Sequence, residues 1–298
     1  MKKIVSISLG SSKRNHKAEV RLMDQDFLVE RVGTDGDMQK MISFIKENDG
    51  NVDAFGLGGM DLYIQALDKR YTIRDAQKVA AAAQKTPLVD GSGLKNTLER
   101  KVVEYLLQET DILKEKKKVL VVSAMDRFGL AQSMEQAGCE MRYGDVIFIL
   151  NLPIALKSLS TLALLARLLV PCIRLLPFYM IYPTGKKQES SKSRYPRFFH
   201  WADIIAGDFH FIKRYMPGEL PGKIIITNTV TSDDIELLRS KGVKMLITTT
   251  PEIKGRSFGT NLMEAMLVAY RGGRSELTPQ EYEDLLEEIN FAPRVVEL

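Results

Sequence analysis

Apolar and polar positions follow two styles along the chain. In the first hundred residues, short β-rich runs (Lys3–Leu9, Ala18–Leu22, Phe27–Val32, Val52–Leu57) are interleaved with helical spacing. Met38, Met41, Ile42 and Ile45 recur at helical intervals and predict a helix over Asp37–Asn48, with Thr34 and Asp37 in capping-box relation ahead of it. The alanine-rich Asp75–Gln84 and the amphipathic Leu94–Leu107 read as helices. Between them lies a short strand, Pro87–Asp90, closing into Gly91-Ser92-Gly93.

The charged run Lys114–Lys118 marks a surface connection, and beyond it strands alternate with helices. Val119–Ser123, Cys139–Tyr143, Asp203–Ala206, Lys223–Thr227 and Lys244–Thr248 read as strands, the first a continuous apolar run of the kind buried on both faces. Phe128–Ala137, Thr231–Lys241, Asn261–Ala269 and a segment opening at Thr278-Pro279 read as helices, with capping-box pairs at Asn261/Glu264 and Thr278/Glu281. Strand-helix-strand repetition with short connections requires right-handed crossovers and a parallel sheet. The expected fold is α/β with two domains: 1–112, and 113–298 as a Rossmann-like parallel sheet with flanking helices and an apolar helical insertion at about 146–200.

The composition is that of an ordinary globular protein: 298 residues, 45% hydrophobic and 27% charged, with a net charge of +4. Two cysteines, Cys139 and Cys172, cannot build a disulfide framework. Three histidines provide no Cys/His cluster at zinc spacing, so no metal is expected. The charge is too small to imply nucleic acid. The opening Met-Lys-Lys-Ile-Val-Ser-Ile-Ser lacks the apolar stretch and cleavage site of a signal peptide, which points to the cytoplasm.

In an open parallel sheet, ligands bind beyond the carboxyl ends of the strands. The ends here read Ser123-Ala-Met-Asp-Arg-Phe-Gly129, Gly144-Asp145, Gly207-Asp208-Phe-His210, Thr227-Asn228-Thr229 and Thr248-Thr-Thr-Pro251, all small, polar or charged. The first occupies the dinucleotide slot. Ser123 and Met125 stand where two fingerprint glycines would be and Gly129 lies near the third, while Asp126 and Arg127 bring opposite charges. Asp145 stands where an acidic residue could hold a ribose hydroxyl, and Thr227 and Asn228 complete the cofactor candidates. A second loop, Thr250–Asn261, offers Lys254, Arg256, Ser257 and Asn261 ahead of a helix, a setting suited to a phosphate or carboxylate. The first domain has polar turns at Gly10–Arg14, Gly56–Asp61 and Asp90–Lys95, which supply Ser11, Ser12 and Asp61 as substrate candidates.

With those motifs in view, the chain resembles a bacterial family labelled quinate 5-dehydrogenase, similar to shikimate and quinate dehydrogenases. The resemblance is clearest from Asp90-Gly-Ser-Gly-Leu through Gly138, with Ser11-Ser12 echoing that family's serine pair for the substrate carboxylate. It implies a substrate domain, a domain for NAD or NADP, and oxidation of a small anionic hydroxy acid. It implies Asp90 as the catalytic aspartate with a lysine partner. No lysine lies in Phe55–Asp61, where the family carries one, which leaves Lys13 or Lys95 to take the role. The alternative is a non-catalytic Rossmann-like protein binding a small anion or nucleotide. Val146–Pro183 is apolar, with Lys157, Arg167 and Arg174 its only charges, and too interrupted to span a membrane. It is expected as core or as a homodimer interface, with a membrane surface as the other reading.

Overall fold

A computed structural model describes residues 1–66, 69–175, 193–250, 252–253, 256–257, 259–273 and 275–298. The chain packs as two units, one of Met1–Thr97, Leu169–Gln188 and Phe258–Phe291, the other of Leu98–Leu168, Glu189–Ser257 and Ala292–Leu298. A single cut near residue 112 therefore differs from the packing: residues 258–291 belong with the first unit.

In the first unit, β1 (Lys2–Ser8) lies central in a sheet of order β2-β3-β1-β4-β7, with β2 His16–Leu22, β3 Gln25–Gly33, β4 Ala54–Gly58 and β7 Leu88–Val89. All but β2 run parallel. A separate hairpin, β5 (Tyr63–Ala66) and β6 (Lys69–Thr72), was not anticipated. Side chains alternate faces along a strand. Val5, Ile7, Phe55 and Leu57 pack with Met41 and Ile45 of α1 (Met38–Asn48) and with Ala76 and Val79 of α2 (Arg74–Ala80). The alternate positions are small: Ser6, Ser8, Gly56 and Gly58. They face the first turn of a later helix, α10 (Thr260–Tyr270), whose Asn261 Nδ2 donates to Ser6 Oγ at 3.0 Å. A Cβ on Gly56 would lie 2.7 Å from the Asn261 carbonyl oxygen.

Two expected capping boxes do not form. Asp37 caps α1 by accepting from Lys40 N, while Thr34 Oγ1 donates to Ser8 O. Gly259 precedes α10 with no side-chain cap, because Asn261 reaches into the sheet and Glu264 turns inward. The box at Thr278/Glu281 does open α11 (Pro279–Glu288).

α3 (Ser92–Gln108) leads the chain into the second unit. That unit holds β8 (Lys118–Val121), α4 (Phe128–Gln136), β9 (Glu140–Tyr143), α5 (Asp145–Phe148), α6 (Leu159–Ile173, of which the residues from Leu169 belong to the first unit), α7 (Pro196–Trp201), β10 (Ile204–Ala206), α8 (Phe209–Tyr215), β11 (Ile224–Thr227), α9 (Ser232–Ser240), β12 (Met245–Thr248) and β15 (Arg294–Glu297). A two-stranded hairpin, β13 (Glu252–Ile253) with β14 (Arg256–Ser257), follows β12. The main sheet has the order β15-β12-β11-β10-β8-β9, parallel except for the unanticipated β15, which runs antiparallel to β12. This is a doubly wound, Rossmann-like sheet. The chain leaves β8 toward β9 and returns to β10 on the other side of β8, which makes the β8/β10 boundary the topological switch point. Leu120, Ile205, Ile225 and Leu246 carry the core toward Phe199, Phe209 and Leu238. The helix expected from Ile154 starts at Leu159, because Leu156 is held extended in a bridge to Tyr143.

Candidate functional site

The loops leaving β8 and β10 converge on Arg127. This residue caps α4, and its guanidinium is almost fully buried. Nη1 donates to Glu99 Oε1 at 2.6 Å, Nη2 lies 3.5 Å from Asp208 Oδ2, and Nε lies 3.4 Å from Asp126 Oδ2. Burial alone lowers an arginine pKa, but Glu99, Asp126 and Asp208 outweigh it and raise the value above its ordinary range. Asp208 is fixed in turn: it accepts from His210 N at the start of α8 and from Asn228 Nδ2 at 2.9 Å. Asn228 Oδ1 accepts from Phe209 N at 3.2 Å. The switch point thus holds a row of charged and amide groups from three strand ends, with Asp126 and Asp208 partly open to solvent. Among the described residues, two buried polar atoms after β8, Ser123 Oγ and Arg127 Nε, and one after β12, Thr249 Oγ1, have no hydrogen-bond partner. Buried polar groups are normally satisfied, so such atoms point to a ligand or water.

The dinucleotide slot is built differently from expectation. Ala124 N and Met125 N, the amides that would face a pyrophosphate, donate to Asp145 Oδ2 and Oδ1 at 3.0 and 2.9 Å. Leu130 N, in the first turn of α4, donates to Glu99 Oε2 at 3.3 Å. The loop's anion-binding amides are thus filled by the protein's own carboxylates. Asp145 is 2% exposed, so both its oxygens serve the loop and the ribose role assigned to it is corrected. Burial pushes its pKa up to about 6 against the pull of the Met125 and Ala124 amides. Gly129 is buried in the first turn of α4, and Thr227 Oγ1 donates to Gly207 O at 2.7 Å, so the Thr227 hydroxyl is engaged within the sheet. These residues do not fit the pyrophosphate of NAD or NADP in the usual Rossmann mode. Asp208 stands at one of the strand ends expected to face a ligand, though with no role given to it, and Glu99 was not anticipated. The one available signal for Glu99 was a carboxylate on the apolar stripe of α3, beside Leu98, Val102 and Leu106.

In the first unit, Asp90 accepts from Leu62 N (2.5 Å), Ser92 N (2.9 Å) and Ser92 Oγ (2.9 Å). These contacts fix the start of α3, and none of the three comes from a lysine. Lys13 is exposed on the turn Ser12–Arg14 and Lys95 is half-buried on α3. Ser11 Oγ accepts from Lys13 N, and Ser12 N donates to Asp35 Oδ1, so the serine pair is engaged in shaping its own turn. Asp61 is half-buried after β4. Arg256 lies in β14 with its side chain outside the described residues, as is Lys254 altogether. The most deeply buried polar side chain of this unit was expected only as a capping partner. Glu264 is fully buried, accepting from Gly91 N at Oε2 and from Tyr282 OH at Oε1, each at 2.5 Å. Burial first, and then the charge of Asp90, push its pKa up to about 8. Glu276, paired with Arg70 at 2.6 Å, lies against the same side of Gly93, where a Cβ would strike both glutamates. Among the described residues no set of three or more His, Cys, Asp or Glu forms a metal site.

Two sequence-family profiles match the chain: a domain of unknown function (DUF8753) over residues 3–90 and a domain of unknown function (DUF8754) over residues 93–298. No curated protein matches it. Similar solved structures include a NAD-dependent malic enzyme from Thermotoga maritima (12% identity, covering 97% of this chain and 84% of that one, TM-score 0.35). A dipicolinate synthase polypeptide from Bacillus halodurans is 13% identical over 91% of this chain and 98% of its own (TM-score 0.32). An ABC transporter solute-binding protein from Burkholderia multivorans is 11% identical over 99% of each chain (TM-score 0.39). Likenesses at this level carry no argument about function, and the Rossmann-like assignment rests on the chain's own strand order.

Proposed function

The chain belongs to the DUF8754 family, whose description names no activity, and from the site geometry we propose that its second unit binds a small hydroxyl-rich molecule at the β8/β10 switch point. The observation that carries this reading is Arg127, buried among Glu99, Asp126 and Asp208 with its Nε unbonded. The carboxylates of Asp126 and Asp208 reach solvent beside this guanidinium, and charge repulsion there disfavours phosphate and carboxylate ligands. Carboxylates accept hydrogen bonds from ligand hydroxyls, while Arg127 Nε and Ser123 Oγ supply donors to ligand oxygens. A sugar or cyclic polyol offers that mixture; a pyrophosphate does not.

The resemblance to quinate and shikimate dehydrogenases implies a finer reading, an NAD(P)-dependent oxidoreductase acting on a small anionic hydroxy acid. It shares the hydroxyl-bearing ligand and differs in requiring a pyrophosphate beside Ala124 and Met125, whose amides Asp145 already engages. One titration separates the two. The full chain is followed by calorimetry and thermal shift against NADH, NADPH, a cyclic polyol, a monosaccharide and quinate. The expected result is a shift with a neutral polyhydroxylated ligand and none with NADH or NADPH, with Asp208→Asn weakening binding by about tenfold or more. Asparagine also caps helices, so α8 keeps its start. Tight NADH binding with the hydroxylated ligands inert would overturn the polyol reading and restore the dehydrogenase.

A further inference from the structure

Ten large apolar side chains are exposed among the described residues, and seven of them fall between Ile149 and Leu175. Ile149, Leu150, Leu152 and Ile154 lie in the segment leading to α6, and Leu164 (60% exposed) and Leu168 (66%) sit one turn apart on α6 itself. The opposite side of α6 buries Leu162, Ala163, Ala166 and Val170. A helix that packs one apolar face and shows another has a surface that water does not favour, and such exposure, concentrated in one stretch of chain, marks an interaction site. At fifteen residues α6 is too short to cross a bilayer, and no helix among the described residues is long and apolar enough to do so.

The charge pattern identifies the partner. From residue 149 to residue 197 the sequence carries Lys157, Arg167, Arg174, Lys186, Lys187, Lys192, Arg194 and Arg197 against the single acid Glu189. The rest of the chain is therefore acidic in balance, with 34 basic residues (42 less these 8) against 37 acidic ones (38 less 1). Lys157 and Arg167 are exposed among the apolar positions. Apolar side chains edged by cations, with no acid on α6 or the segment before it, match a lipid surface of negative charge, where the leucines enter the headgroup boundary and the cations meet phosphates. We infer that the Ile149–Leu168 face of the second unit docks on an anionic membrane surface.

The test is flotation of the full chain with vesicles of phosphatidylcholine alone and with about a third phosphatidylglycerol. The expected result is about tenfold or greater enrichment on the anionic vesicles, reduced by salt. Leu164→Glu with Leu168→Glu should abolish it without changing the melting temperature, since both side chains are already in solvent. Lys157→Glu should weaken it on anionic vesicles, and provides a second arm if the double variant fails to fold. Absence of flotation, equal flotation on both vesicles, or unchanged flotation of a folded double variant would overturn the inference. So would light scattering that shows a dimer dissolved by Leu164→Glu/Leu168→Glu, because the face would then join two copies.

Discussion

Glu264 shows what a single buried carboxyl does to a fold. Among the described residues no cation contacts it: it accepts from Gly91 N and Tyr282 OH, and it faces Asp90 and Glu276, with Arg70 and Tyr63 beyond them. Burial and the neighbouring Asp90 charge favour the neutral acid, so its pKa rises from 4.5 to about 8. The folded chain therefore holds a proton that the unfolded chain releases above pH 4.5. The resulting stabilisation is complete below that pH and is lost as pH rises through 8, at a slope of about 1.4 kcal/mol per unit. Asp145 acts in the same direction only up to about pH 6, so the window from pH 6 to 8 isolates Glu264. Glu264→Gln, a permanent copy of the neutral acid, should flatten the decline of urea-unfolding free energy across that window. An unchanged slope in the variant would show that the proton is held elsewhere. The sequence spacing linked Glu264 to Asn261 as a cap because a pattern three residues long carries no knowledge of Gly91, which lies 173 positions away.

At the scale of elements, the apolar periodicity was a good guide where the deciding contacts are local. The helices at Met38–Asn48 and Ser232–Ser240 and the capping box at Thr278/Glu281 lie where spacing and cap chemistry place them. Legibility failed where a long-range partner takes the side chain. Thr34 bonds to Ser8, Asn261 to Ser6, and Asp145 to the amides of a loop that its position in sequence suggested it would merely neighbour. The glycines of β4 show the other side of this. Gly56 reads in sequence both as part of the strand Val52–Leu57 and as the start of a turn; it sits within the strand, where its lack of a side chain lets α10 approach. Gly56→Ala would place a methyl 2.7 Å from Asn261 O, a backbone atom that cannot swing away. The cost should be about 1–3 kcal/mol, as in other overpacked sites. Gly36→Ala tests a different cause, since its Cβ would meet nothing and only its φ of 88° resists substitution. Equal urea midpoints for wild type and Gly56→Ala would refute the close-approach account.

At the scale of the whole chain, the sheet of the second unit was legible because its central strands β8, β10, β11 and β12 are nearly unbroken apolar runs that need no partner to be recognised. Its closing strand, Arg294–Glu297, was missed because it alternates half-buried and exposed positions at the sheet margin, where few apolar residues are required. The division into units was less legible, because alternation of strands and helices does not tell which sheet a helix covers. Helix α10 is buried along nearly its whole length, through Leu262, Met263, Ala265, Met266, Leu267, Val268 and Ala269, and its first turn closes on β1, β4 and Gly91 of the first unit. Each fully buried leucine, methionine or valine contributes roughly 1.5–3 kcal/mol, so the helix supplies on the order of 10 kcal/mol, comparable to the stability of a whole domain. A fragment of residues 1–112 lacks it and should expose the Ser6–Gly56 face of its sheet. It is expected to bind a hydrophobic dye and to lack a cooperative thermal transition in near-ultraviolet circular dichroism. Adding a peptide of residues 258–291 should restore that transition. A fragment that melts cooperatively alone would mean that the β1–β4 sheet needs only α1 and α2, and that α10 is an accessory cover.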